Sequence, residues 1–162
     1  MHPGKTKLIR FGRFAPLQCV QKPSRGKPGT FDFLGFTHYL GYKKNGDVTV
    51  MRKTKRSRRI SQLKRIKLEL KKRLHHRPND TGRWLKKVVQ GHINYYGVPF
   101  NGKVVSGFVY KVDRLWIKSL RGRSQRQAMD WMRFKKLISR WISSPKVVHP
   151  YPEQRFRAKY LR

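Results

Sequence analysis

Arg83, Lys87, Gln90 and Asn94 follow one another at intervals of four, three and four residues, and Lys111, Arg114, Lys118 and Arg121 at three, four and three. On a helix each set gathers on a single face. A third set, Arg59, Lys64, Arg65, Lys71 and Lys72, falls in an equally basic stretch, and Arg123 and Arg126 sit in a connector further on. Ammonium, guanidinium and amide groups in such arrays make and break no bonds. What they do well is hold phosphates by charge and hydrogen bonding, recognising backbone and shape more than sequence. The groups that catalysis needs are sparse. Cys19 is the single cysteine, which excludes an intrachain disulfide and a cysteine-based four-ligand zinc site. The six histidines are scattered except His75 and His76, whose adjacent positions point different ways on a helix. No metal and no cofactor is expected.

The balance of 41 Lys plus Arg against 7 Asp plus Glu, a formal charge of +34 over 162 residues, repels itself unless a polyanion is near. Nucleic acid is the partner this implies. Hydrophobic residues at 37% are too many for a disordered basic tail, so a folded chain with one or two small cores is expected. No apolar run approaches the roughly 20 residues that span a bilayer, and no membrane partner is expected. The start, MHPGKTKLIRFG, lacks the uninterrupted apolar stretch of a signal peptide, which makes a reducing, cytoplasmic location the expectation.

These basic sets must be positioned by regular elements. Residues 83–97, RWLKKVVQGHINYYG, look like the organising helix: Trp84, Leu85, Val88, Val89, His92, Tyr95 and Tyr96 fall on one arc opposite the polar set. Asn79, Asp80 and Thr81 offer N-cap oxygens, and Gly97 a left-handed close. His92 reads as a core histidine. Tyr95 and Tyr96 read as core residues, with stacking on unpaired bases as the alternative. Upstream, residues 52–74 carry twelve Lys or Arg and one acid, Glu69, yet Ile60, Leu63, Ile66, Leu70 and Leu74 keep a helical spacing. A merely solvated charge run would not keep that register. Downstream, residues 98–107 read as a loop. A helix follows through Val105, Phe108, Val109, Val112, Leu115, Trp116 and Leu120 to a stop at Gly122, and a last one from Trp131 to Trp141 takes Asp130 as its cap.

Ahead of residue 53 the pattern is strand-like. KLIRF at 7–11 predicts a short strand, residues 16–29 a basic loop, and TFDFLGFTHYLGY at 30–42 an aromatic strand. Asn45-Gly46 then predicts a hairpin into VTVMR at 48–52. The class expected is α+β, a small strand-and-hairpin unit followed by a mostly helical region.

Several of these strings resemble one family. HP-KT with Leu8, Phe11 and Gly12 looks like a late-palm stretch, TFDFLGFTHY at 30–39 like a segment leading to a primer grip, and GHINYYG at 91–97 like the signature of a maturase-specific region. In that order they resemble the C-terminal part of the reverse transcriptase/maturase proteins encoded by group II introns, over roughly residues 1–149. The resemblance implies a palm-end remnant with a β-hairpin at 1–53, a thumb-like basic helix at 54–78 and domain X at 79–145, while residues 146–162, with aromatics, prolines and charge but no period, read as an extended or disordered tail. It implies a primer-grip-like role for Phe33, Leu34, Gly35 and Phe36, which otherwise read as buried strand residues. The RNA-binding set it implies is the basic one above, with structured group II intron RNA as the partner and assistance to its folding and splicing as the function.

The departures matter as much. The family's polymerases use a Tyr-x-Asp-Asp turn, and this sequence has no Asp-Asp pair; Asp32 and Asp47 are the only acids in the palm-like part. Two-metal phosphoryl transfer needs converging carboxylates. The chain alone is not expected to polymerise DNA, and Mg2+ would enter only with a palm supplied by another chain. The residues after Pro145 are too few for the family's His- and Cys-rich nuclease. Two alternatives stay open: one half of a split RNA-directed DNA polymerase whose other half lies upstream, or a generic basic protein that also takes DNA.

Overall fold

A computed structural model describes residue 9, residues 28–123 and 129–151, and residue 154. The chain divides into two compact units, Met1–Lys55 and Arg56–Arg162. Among the described residues a three-stranded antiparallel sheet precedes four helices, so the class is α+β. The expected strand at 7–11 and loop at 16–29 lie outside the described residues apart from residues 9, 28 and 29. Arg126 lies outside them too.

In the first unit β1 (Phe31–Phe33), β2 (Phe36–Tyr42) and β3 (Val48–Thr54) pair in sequence order. The stretch at 30–42 is therefore two strands and not one. Leu34 and Gly35 both take positive φ, 46° and 79°, which is what a two-residue I′ connection requires. The β2–β3 hairpin is present as Asn45-Gly46 predicts, with Gly46 alone at positive φ (85°) in a loop closed by Lys43 N donating to Asp47 O at 2.8 Å. Phe31, Phe33, Phe36 and His38 share one face through the pairs Phe31↔His38 and Phe33↔Phe36.

In the second unit α1 (Arg56–Lys72), α2 (Pro78–Tyr96), α3 (Gly102–Arg121) and α4 (Trp131–Trp141) surround one core. Phe108 and Trp116 of α3 and Phe134 of α4 are fully buried, the last two edge to face at 5.7 Å between centroids. Removing each such ring from water contributes about 1.5–3 kcal/mol. Ile66 and Leu70 of α1 and Leu85, Val89 and Ile93 of α2 close around α3.

Helix ends depart from expectation in the first three helices: α1 spans Arg56–Lys72 inside the expected 52–74, because residues 52–54 extend β3. α2 begins at Pro78, ahead of Asn79, because proline's fixed φ suits the first turn and its missing N–H costs nothing there. Arg77 is the boundary residue, and no side chain caps it. Gly97 ends α2 at φ −74°, outside the left-handed region. Its requirement is room: a Cβ there would lie 2.5 Å from Ile93 O and 3.0 Å from Lys146 O. α3 starts at Gly102, which shortens the expected loop. Buried Asn101 makes this possible, its Nδ2 donating to Tyr96 O at 2.8 Å while its own carbonyl accepts from Val104 N and Val105 N. Asp130 caps α4 as its position predicts, accepting from Met132 N at 3.1 Å.

Candidate nucleic-acid interface

α1 packs along α3, and between them runs a groove of about 580 Å³. Its floor is aliphatic, from Ile60, Leu63, Leu115 and Ile117. Its rims are cationic, with Lys64 and Lys67 on α1 facing Lys111, Arg114, Lys118 and Arg121 on α3. Lys71 and Lys118 line its continuation toward Leu74 and Gly122. The spacing of the apolar stripe explains the arrangement. With Ile66 and Leu70 turned into the core, Ile60, Lys64, Lys67 and Lys71, spaced at i, i+4, i+7 and i+11, share the flank of α1 that borders the groove. Ile60, expected in the buried stripe, is exposed and belongs to the floor.

A second concavity of about 450 Å³ lies between α1 and α2. Arg58, Gln62 and Arg65 of α1 face Lys87, Gly91, Tyr95 and Tyr96 of α2 across it. Tyr95 is 52% exposed, against its expected place in the core, while Tyr96 is half-buried and meets it edge to face at 4.7 Å. His92 also lines this side. It is buried, as expected, and stacks on Phe108 at 3.6 Å. Burial lowers its pKa to about 4, so the ring is neutral at pH 7.

α1 is thus the wall the two grooves share. The α3 cations oppose α1, and only Lys87 of the α2 set lines a groove. Arg83 is paired with Asp80 at 3.5 Å, and Gln90 donates to Asn94 Oδ1 at 2.8 Å. Lys72 pairs with Glu69 at 3.0 Å. Arg59 is half-buried and lines neither groove. Arg123 is spent on the turn that follows α1, its guanidinium donating to Arg73 O and His76 O. Lys67 and Arg58, which the sequence did not single out, join the grooves; their offset from the buried residues was the available signal.

Among the described residues no carboxylate lines either groove. The acids are committed elsewhere: Glu69 with Lys72 and Arg73, Asp80 with Arg83, Asp130 at its cap. Asp113 of α3 is half-buried, and desolvation raises its pKa to about 6.

In the sheet unit, Phe33 and Phe36 flank the turn as register partners. Phe36 is buried, but Phe33 and Leu34 are exposed, Leu34 at 67%, which corrects the buried-strand reading for these two. Gly35 shapes the turn and accepts Lys55 N at 2.9 Å through its carbonyl. The Thr37 hydroxyl at 2.6 Å and the Lys55 ammonium at 3.0 Å hold the Asp32 carboxyl below the usual carboxylate range. Among the described residues no three His, Cys, Asp or Glu side chains group as a metal site would need, and no helix is long and apolar enough to cross a membrane. Comparison with protein-family models, curated proteins and solved structures returns no match.

Proposed function

We propose that this chain is an RNA-binding piece of a group II intron maturase, with the sheet unit as the end of a palm and the helices as thumb and domain X, and that it clamps folded intron RNA while the RNA carries the chemistry. The observation that carries this reading is the α1/α3 groove: two rows of cations with an aliphatic floor and, among the described residues, no acid. An ordinary solvated face intersperses both signs, because like charges at helical spacing destabilise each other. Facing rows of cations suit the phosphates of a structured RNA, which are held by charge and shape more than by sequence. The strings GHINYYG and TFDFLGFTHY add the resemblance to the maturases, and the charge of +34 adds the demand for a polyanion.

The test is a filter-binding titration of the full chain against a group II intron RNA, a scrambled RNA of equal length and duplex DNA, at about 150 mM salt where weak surface electrostatics are screened. Preference for the intron RNA is the expected result. Equal affinity for all three reduces the protein to a nonspecific basic binder.

A further inference from the structure

The α1/α2 concavity contains one residue that the fold does not explain. Gly91 stands inside α2, and a Cβ built there meets nothing within 4 Å. A glycine in a helix interior costs stability relative to alanine. Gly82 leaves no room beside Trp141 and Gly97 none beside Ile93 O, whereas Gly91 and Gly107 both stand open, and of these two only Gly91 lines a concavity. At Gly91 no neighbour requires the missing side chain. What it leaves empty is the space between Tyr95 and the α1 side chains Arg58, Gln62 and Arg65.

We infer that this concavity is a binding site for a single unpaired nucleotide of RNA, with the base stacked on Tyr95, its phosphates held by Arg58, Arg65 and Lys87, and Gln62 at the base edge. The inference rests on the RNA-binding reading and adds a second site, on the opposite flank of α1 from the α1/α3 groove. The volume of about 450 Å³ lies within the roughly 300–1,000 Å³ usual for small-ligand sites. Three cations converge on it without a carboxylate among the described residues, which suits phosphate. An exposed aromatic ring beside them suits a base, whose stacking is tolerant of sequence. A duplex cannot use the site, since its bases are already stacked; a bulged or looped-out nucleotide can.

The test compares two RNAs, one fully paired hairpin and the same hairpin with a single bulged nucleotide, titrated against the full chain and two variants. Gly91→Leu replaces a poor helix former and fills the concavity, so it retains or gains thermal stability. Gly107→Leu is the control, because Gly107 is equally open, on α3, and lines neither groove. Wild type and Gly107→Leu are expected to bind the bulged hairpin about tenfold more tightly than the paired one, the size of one stacked base. In Gly91→Leu the ratio falls to about one. Tight binding of both hairpins by wild type with no difference between them overturns the inference and leaves the RNA-binding reading standing. A preference that survives in Gly91→Leu overturns the site assigned here. Failure to bind either hairpin overturns both.

Discussion

The Cβ that Gly82 lacks would stand 2.5 Å from Cδ1 of Trp141 and 2.7 Å from its Cγ. The missing side chain lets the indole of α4 lie directly on the first turns of α2, and Gly82 is buried by it. Gly82→Ala is therefore expected to destabilise by about 1–3 kcal/mol, the usual cost of overpacking a filled site. Gly91→Ala, with open space around it, is expected to stabilise by roughly 0.5–1 kcal/mol. Urea unfolding of the two variants beside wild type checks both, and the opposite signs are the point of the comparison.

The groove cations have a salt signature. Each phosphate neutralised on a duplex contributes about 0.9 to the slope of log affinity against log salt. Combining Lys64→Ala, Lys111→Ala, Arg114→Ala and Lys118→Ala is expected to reduce that slope by about three to four. Arg83→Ala, which removes a cation already paired with Asp80, is expected to leave it nearly unchanged. Binding titrations of an RNA duplex at several salt concentrations measure the difference.

Two titratable groups, buried His92 and half-buried Asp113, oppose each other in acid. His92 has its pKa lowered from 6.5 to about 4 by burial, so its stabilising contribution is present above pH 6.5 and is lost as pH falls toward 4. Asp113 has its pKa raised from 3.8 to about 6, so its contribution is present below 3.8 and is lost as pH rises through 6. Between about pH 4 and 6 the two slopes largely cancel. Asp113→Asn removes one of them. The variant is expected to be more stable than wild type at pH 7 by roughly 1–3 kcal/mol, and to lose stability on acidification where wild type stays flat. Thermal unfolding of both proteins from pH 4 to 7.5 tests the sign as well as the size.

Residues 146–151 return to the end of α2. Val148 N and His149 N both donate to Gly97 O, at 2.7 and 3.1 Å, and His149 Nε2 lies 2.6 Å from Asn94 O. Gly97→Ala would drive a methyl group against Ile93 O and Lys146 O. The expected outcome is faster hydrogen exchange at the Val148 and His149 amides together with a loss of about 1–3 kcal/mol in stability.

Local chemistry was legible residue by residue. Asn45-Gly46 announced its hairpin and Asp130 its cap, because turn geometry and capping depend on a few adjacent side chains. The stripe from Val105 to Leu120 announced a helix with Trp116 inward, because burial is periodic along one element. Leu34-Gly35 did not announce its turn. A leucine is a poor residue at positive φ, so nothing in the composition of 30–42 favoured breaking the strand there.

The candidate interface was legible only in its parts. Periodicity places Lys111, Arg114, Lys118 and Arg121 on one side of α3, but it carries no information about which helix that side faces. Only packing decided that α1, and not α2, stands opposite, since the Ile66 and Leu70 contacts with the α3 core turn Lys64 and Lys67 toward the same groove. The same packing set Tyr95 outward and left Gly91 beside an empty concavity. What the amino-acid order determined by itself was the excess of cations, the helices that carry them and the face of each on which they lie. Which of those faces meet was settled by tertiary structure, because the direction of a side chain is a property of its own helix, whereas the identity of its neighbour depends on how the whole core is filled.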